Sequence, residues 1–108
     1  MASGMSAAVS GMRTQQDEFD AAANNIANAD TPGYNSEEVE TAPLPGGGVE
    51  TTGVGVLPGI PPADPTVSSV DVGAQMVGMM MASSLYSADA KVVTVQGRMD
   101  QSLFDVFA

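Results

Sequence analysis

Residues 23–34 read Ala23-Asn24-Asn25-Ile26-Ala27-Asn28-Ala29-Asp30-Thr31-Pro32-Gly33-Tyr34, and this stretch decides the fold because it brings a long helical pattern to a stop. Asp30 is turn-prone, Thr31 is restricted by the proline after it, Pro32 cannot continue a helix, and Gly33 is free to take a left-handed backbone. The first helix is therefore predicted to end near Ala29. Asn24, Asn25 and Asn28 crowd its last turn. Their helix propensity is weak, but their amides can bond exposed backbone groups or a neighbouring chain. On spacing alone the cluster reads either as a frayed helix end or as a built contact.

Upstream of this stop, Met5, Met12, Phe19 and Ile26 recur every seven residues, with Ala8, Gln15, Ala22 and Ala29 three places after each. Large residues at one heptad position and small ones at the other allow close helix packing. The seam fits a subunit interface and the buried face of an ordinary amphipathic helix equally well.

Downstream, residues 35–68 hold six of the seven prolines, the triple glycine Gly46 to Gly48, and five acids without a base. Such a segment cannot bury a core of its own. A weak extended signal from Val49 to Ile60 allows one short hairpin, Pro61, Pro62 and Pro65 favour a polyproline-like run, and the triple glycine reads as a flexible link. The second helix is predicted from about residue 69, with a hydroxyl cap in Ser68-Ser69 and Asp71 in the first turn. Its apolar stripe runs Val77, Met81, Leu85, Ala88, Val92, Val95, Met99, Leu103 and Val106, at spacings of three and four. That helix would be about 55 Å long at 1.5 Å per residue, and the first about two thirds of that. Two helices so unequal cannot cover each other's faces, so the excess needs other chains. The expected architecture is mainly α: terminal helices over residues 1–34 and 69–108 forming a coiled-coil hairpin, joined by an irregular or β-hairpin middle over 35–68.

Composition narrows the chemistry. The chain has 108 residues, thirteen acids against three bases, a net charge of −10, and neither cysteine nor histidine. Thiol nucleophiles, disulfides, and zinc or haem sites built on Cys or His are excluded, as is imidazole chemistry near neutral pH. Pairs such as Asp17 with Glu18 and Glu37 with Glu38 read as solvated charges, and no glycine-rich phosphate loop opens a helix with a usable lysine. An enzyme is not expected, and no cofactor or metal site is. Methionines 76, 79, 80 and 81 could in principle hold a soft metal, but they more simply adapt to irregular neighbours. A pI near 4.1 repels nucleic acid and anionic lipid. No stretch reads as a membrane span or a cleavable secretory signal. Leu, Ile, Val and Phe make up only about a fifth of the residues, which with this charge borders on the disordered class. The chain is expected to be poorly folded alone and ordered by partners.

Two motifs resemble the bacterial flagellar axial proteins, the rod and hook family. Ser10-Gly11-Met12-Arg13, then Asp20 and Ala23 through Tyr34, is similar to the family's N-terminal signature, whose core reads A-N-N-[IL]-A-N-x-x-T-P-G-Y. Val70-Asp71, Met76-Val77, and Leu85-Tyr86-Ser87-Ala88-Asp89-Ala90-Lys91-Val92-Val93 resemble the family's terminal helix. Departures are Ala22 where a larger aliphatic is usual, Leu85 and Asp89 for common Ala and Asn, and Gly97 within the helix. The short middle makes the chain most similar to a proximal rod subunit.

The resemblance implies a structural subunit of the flagellar basal-body rod, assembling helically through its terminal helices and transmitting motor torque across the periplasm. It implies rod subunits and basal-body proteins as partners, and transit through the type III export apparatus without a cleaved signal. Each subunit would make heterologous contacts that propagate. The interface residues expected are Met5, Met12, Phe19, Ile26, Val77, Met81, Leu85, Val92, Val95 and Met99. Asn24, Asn25, Asn28, Pro32, Gly33 and Tyr34 would set the end of the first helix. The competing reading is an acidic helical adaptor or export chaperone that coats a partner helix, which gives no reason for the asparagine motif.

Overall fold

The computed structural model describes residues 2–56 and 64–107. Its elements follow the chain as α1 (Ala2–Ala27), β1 (Glu38–Pro43), β2 (Val49–Gly55) and α2 (Val72–Phe107). The extended signal through Leu57 to Ile60 and the run at Pro61-Pro62 lie outside the described residues. The molecule measures 67 × 25 × 13 Å, so it is a rod-like helical hairpin rather than a sphere.

α1 and α2 are antiparallel. Gly4 faces Gln96, Gly11 faces Asp89, and Asn25 meets Gln75, so partner numbers sum to a constant along the whole contact. The buried residues of α1 are small or polar: Ala8, Gly11, Thr14, Ala21, Ala22 and Asn25. On α2 the only buried residue is Ala82, and the partly covered ones are Gln75, Met79, Asp89, Ala90, Val93 and Gln96. These fall on a second seven-residue repeat. Small side chains let the helices approach closely. A Cβ added at Gly11 would stand 2.5 Å from Asp89 Oδ2.

The seam therefore buries little. Only Ala8, Ala21, Ala22 and Ala82 are buried apolar residues among those described. Thr14 Oγ1 and Gln15 Oε1 are buried without partners, each costing about 1–3 kcal/mol. The large apolar stripe points elsewhere: Val77, Met81, Leu85, Val92, Val95 and Met99 are 47–59 % exposed. Full burial of such a side chain stabilises by about 1.5–3 kcal/mol, so six half-exposed ones leave about 5–9 kcal/mol unrealised. That equals much of an ordinary domain's net stability of about 5–15 kcal/mol.

The middle segment is more ordered than a glycine-rich link suggests. β1 and β2 pair antiparallel, Pro43 opposite Val49 through Glu38 opposite Gly55, with a bulge after Glu40. The triple glycine is the hairpin turn, closed by Leu44 N donating to Gly48 O at 3.0 Å. The hairpin lies on α1 because β2 turns polar groups toward it. Val49 N donates to Ser10 Oγ at 3.1 Å, and Thr51 Oγ1 donates to Asp17 Oδ2 at 2.7 Å. Gly48 has φ +100° and no room for a side chain, since a Cβ would stand 2.6 Å from Ser10 Oγ and 3.3 Å from Ala7 Cα.

Two further expectations change. Asp71 itself is the N-cap of α2: its Oδ1 accepts from Ala74 N at 3.1 Å and its carbonyl from Gln75 N at 3.0 Å. The serines before it serve other bonds, and α2 begins at Val72 rather than near 69. α2 runs 36 residues, through Gly97, a position where the family resemblance departs.

Gly48→Ala should lower stability by about 2–3 kcal/mol, from backbone strain plus overpacking against α1. Gly47→Ala has the same left-handed strain but nothing within 4 Å, and should cost about 1 kcal/mol. Urea unfolding of both variants measures the difference.

Candidate functional site: the asparagine clasp and the outward faces

At the end of α1 the chain must turn toward the hairpin and later return beside its own exit. The turn is built as its residues require. Tyr34 N donates to Thr31 O at 3.2 Å, closing a four-residue turn with Pro32 second and Gly33 third, and Gly33 takes φ +76°. Asn28 holds the turn before it: its N donates to Asn25 O, its Nδ2 to Asn24 O at 2.9 Å, and its Oδ1 accepts from Thr31 Oγ1 at 3.1 Å. Helix α1 ends at Ala27, two residues earlier than expected.

Asn25 is wholly buried at 0 % exposure, and every polar atom of its side chain is used. Nδ2 donates to Glu37 O at 2.8 Å and to Gln75 Oε1 at 3.0 Å. Oδ1 accepts from Glu37 N at 2.8 Å and from Tyr34 OH at 3.3 Å. The amide thus pairs with the Glu37 backbone as a neighbouring strand would, and binds the first turn of α2 as well. Asn24 supports it from the exposed side, donating through Nδ2 to Tyr34 OH at 3.1 Å and Glu37 Oε2 at 3.3 Å.

The incoming segment before α2 is stitched to the same place. Gly33 N donates to Val67 O and Ser69 N to Tyr34 O, both at 2.9 Å, and Ser36 N donates to Ser69 Oγ at 2.8 Å. Asp64 organises the approach, accepting from Thr66 N and Oγ1, and those bonds hold its carboxyl below the usual range. Burial first, and the nearby Glu37 carboxylate second, push the Tyr34 phenol above its ordinary value.

The expected interface residues take two kinds of position. Met5, Met12 and Ile26 are half-buried, and Phe19 is 38 % exposed. The six expected on α2 are all exposed. The structure therefore does not gather the ten into one intramolecular seam. Phe19 instead borders two adjoining clefts between α1 and α2. One, about 400 Å³, is walled by Gln15, Gln16, Asp20, Ala82 and Tyr86; the other, about 480 Å³, by Met76, Met79, Met80 and Ser84. The clasp of Asn24, Asn25, Asn28, Gly33 and Tyr34 does form one unit. Gln75 and Glu37 complete it and escaped the sequence reading, because a backbone partner leaves no sequence signal and Gln75 belongs to the weak seam repeat. No group of acidic side chains among the described residues could hold a metal ion. No helix there is long and apolar enough to cross a membrane.

Asn25→Ala would leave the Glu37 backbone, Gln75 and Tyr34 short of partners in a buried place, and should cost about 3 kcal/mol. Asn24→Ala, at an exposed site, should cost under about 1 kcal/mol. Chemical denaturation of the two variants compares them. Because folding raises the Tyr34 pKa, its contribution is fully present below pH 10 and is lost as pH rises through the folded-state value. Tyr34→Phe should remove that alkaline fall in a pH series of unfolding curves.

Residues 5–35, from the first turns of α1 to just past the clasp turn, match the family described as flagella basal body rod protein. A search of the curated proteins finds no match to the chain.

Proposed function

We propose, from the premise that this chain is a flagellar basal body rod family protein, that it is a structural subunit which assembles through its terminal helices and carries torque along the rod. The family is a non-enzymatic structural one, and no residue of the chain is assigned a catalytic role. The observation that carries the reading is the outward apolar stripe of α2. A helix that turns its alanine side inward and its valines, leucine and methionines outward gains stability by being surrounded. Several neighbours, each meeting a different part of that face, suit a helical array with heterologous contacts.

Other rod subunits and basal-body proteins are the partners in this reading, and the type III export apparatus handles the chain in transit to the periplasmic rod. A seam with so little buried apolar area is easily opened, which suits export as an unfolded chain. The interface comprises Val77, Met81, Leu85, Val92, Val95 and Met99 with Met5, Met12, Phe19 and Ile26. Nothing in the family match favours an adaptor or chaperone.

Val92→Asp and Phe19→Asp each place a charge on the assembly face while leaving the small-residue seam untouched. Both should leave secretion of the chain at its normal level and reduce its incorporation into rods by at least about tenfold, the effect of 1.4 kcal/mol. Immunoblots of secreted protein and of purified basal bodies distinguish the two steps. Normal incorporation of both variants would refute the assigned face.

A further inference from the structure

On sequence alone the methionine run of α2 reads as packing that adapts to its neighbours, but the structure divides it. Met81 belongs to the outward stripe with Val77 and Leu85, whereas Met76, Met79 and Met80 together line the second cleft beside Phe19, of about 480 Å³. Their spacing of three and four residues sets them on one face of the helix, with Cβ atoms about 5–6 Å apart. Three flexible thioethers so placed can turn their sulfurs toward one point in the cleft. The fold gains little from two of them. Met76 and Met80 are 56 % and 70 % exposed, and only Met79 is partly covered.

The donor set chooses the ligand. Besides the methionines, the cleft is walled by Phe19, Ser83 and Ser84, so the three neutral sulfurs meet no carboxylate among its lining residues. A hard divalent cation takes several oxygen ligands, and zinc takes imidazole, thiolate or carboxylate. None of those sets is present in this cleft. Thioethers instead select Cu(I). Phe19 brings an aromatic ring to the same cleft, and the face of such a ring attracts a cation. A net charge of −10 favours the approach of any cation without choosing among them.

We propose that Met76, Met79 and Met80 form a binding site for a soft monovalent cation, Cu(I) or its analogue Ag(I), with the three thioether sulfurs as ligands. Met81, about 100° further round the helix than Met80, takes no part. Binding leaves the oxidation state of the ion unchanged. It also releases no proton, because a thioether carries none, so this site lacks the pH dependence of thiolate, imidazole or carboxylate sites. The proposal does not depend on the rod reading, since the whole site lies within one chain.

The chain has no cysteine or histidine to compete for a soft ion, which makes the site directly testable. Purified full-length protein with isotope-labelled methionine methyls is titrated with silver nitrate in chloride-free buffer and followed by NMR. Ag(I) is the probe because it is soft, closed-shell and needs no reductant. The methyl signals of Met76, Met79 and Met80 should move together and saturate at a single ion per chain, while those of Met5, Met12, Met81 and Met99 stay in place. The affinity should not change between about pH 5.5 and about pH 7.5. Met76→Leu and Met80→Leu conserve size and helix propensity at exposed positions, so helix content by circular dichroism should be unchanged. Each should weaken Ag(I) binding at least about tenfold, the lower end of what losing even a supporting group costs a metal site. Zn(II) should move none of these signals. Signals that shift across all the methionines in proportion to their exposure, binding undiminished in both variants, or an equal response to Zn(II) would each overturn the site.

Discussion

A single buried amide ties the end of α1 to the start of the hairpin and to the first turn of α2. Asn25 is wholly enclosed, and its two donors and two acceptor positions are all occupied by groups from three different segments. A buried amide with even one bond missing costs about as much as a hydrogen bond contributes, so the arrangement stabilises only when complete. Completeness requires that the Pro32-Gly33 turn bring Tyr34 and Glu37 back past α1, and that the Asp71 cap put Gln75 in the first turn of α2. The turn, the start of the hairpin and the direction of α2 all follow from satisfying that amide.

The remaining contacts do not supply a core in its place. The helices meet mostly through alanine, glycine and polar side chains, with Met79 and Val93 partly covered, and the hairpin is hydrogen-bonded to α1 through Ser10 and Asp17. Close approach of backbones gives dispersion contact but removes little apolar surface from water. The energy that a conventional domain would gain inside is left on the outside of α2. In this molecule polar contacts determine shape, and apolar surface remains available for association.

That division bears on the proposed role. A subunit exported through a narrow channel benefits from a fold that opens readily, and a subunit of a stiff rod benefits from strong contacts once in place. Storing apolar area on an exposed helix face serves both, because the same residues contribute little to the monomer and much to an array. The acids are distributed to suit: residues 35–70 hold five and no base, whereas both helices mix signs.

Much was legible in residue order. The helix stop at Asp30-Thr31-Pro32-Gly33, the two helices, their unequal lengths and the apolar stripe of α2 all follow from local backbone chemistry and from periodicity, which one chain segment displays by itself. The tertiary structure alone decided which of two overlapping repeats on α2 faces inward. The stripe from Val77 to Met99 is the more apolar, but the seam of Gln75, Met79, Ala82, Asp89, Val93 and Gln96 faces inward, with Asp89 packed against Gly11 and Gln75 bonded to Asn25. Periodicity reports that a face exists and not what covers it. The triple glycine likewise read as slack, since nothing in its own residues shows that Ser10 lies beneath Gly48. Local sequence determined where elements begin and end; the geometry of close packing and the need to satisfy one buried amide determined which faces were spent inside and which were kept for other chains.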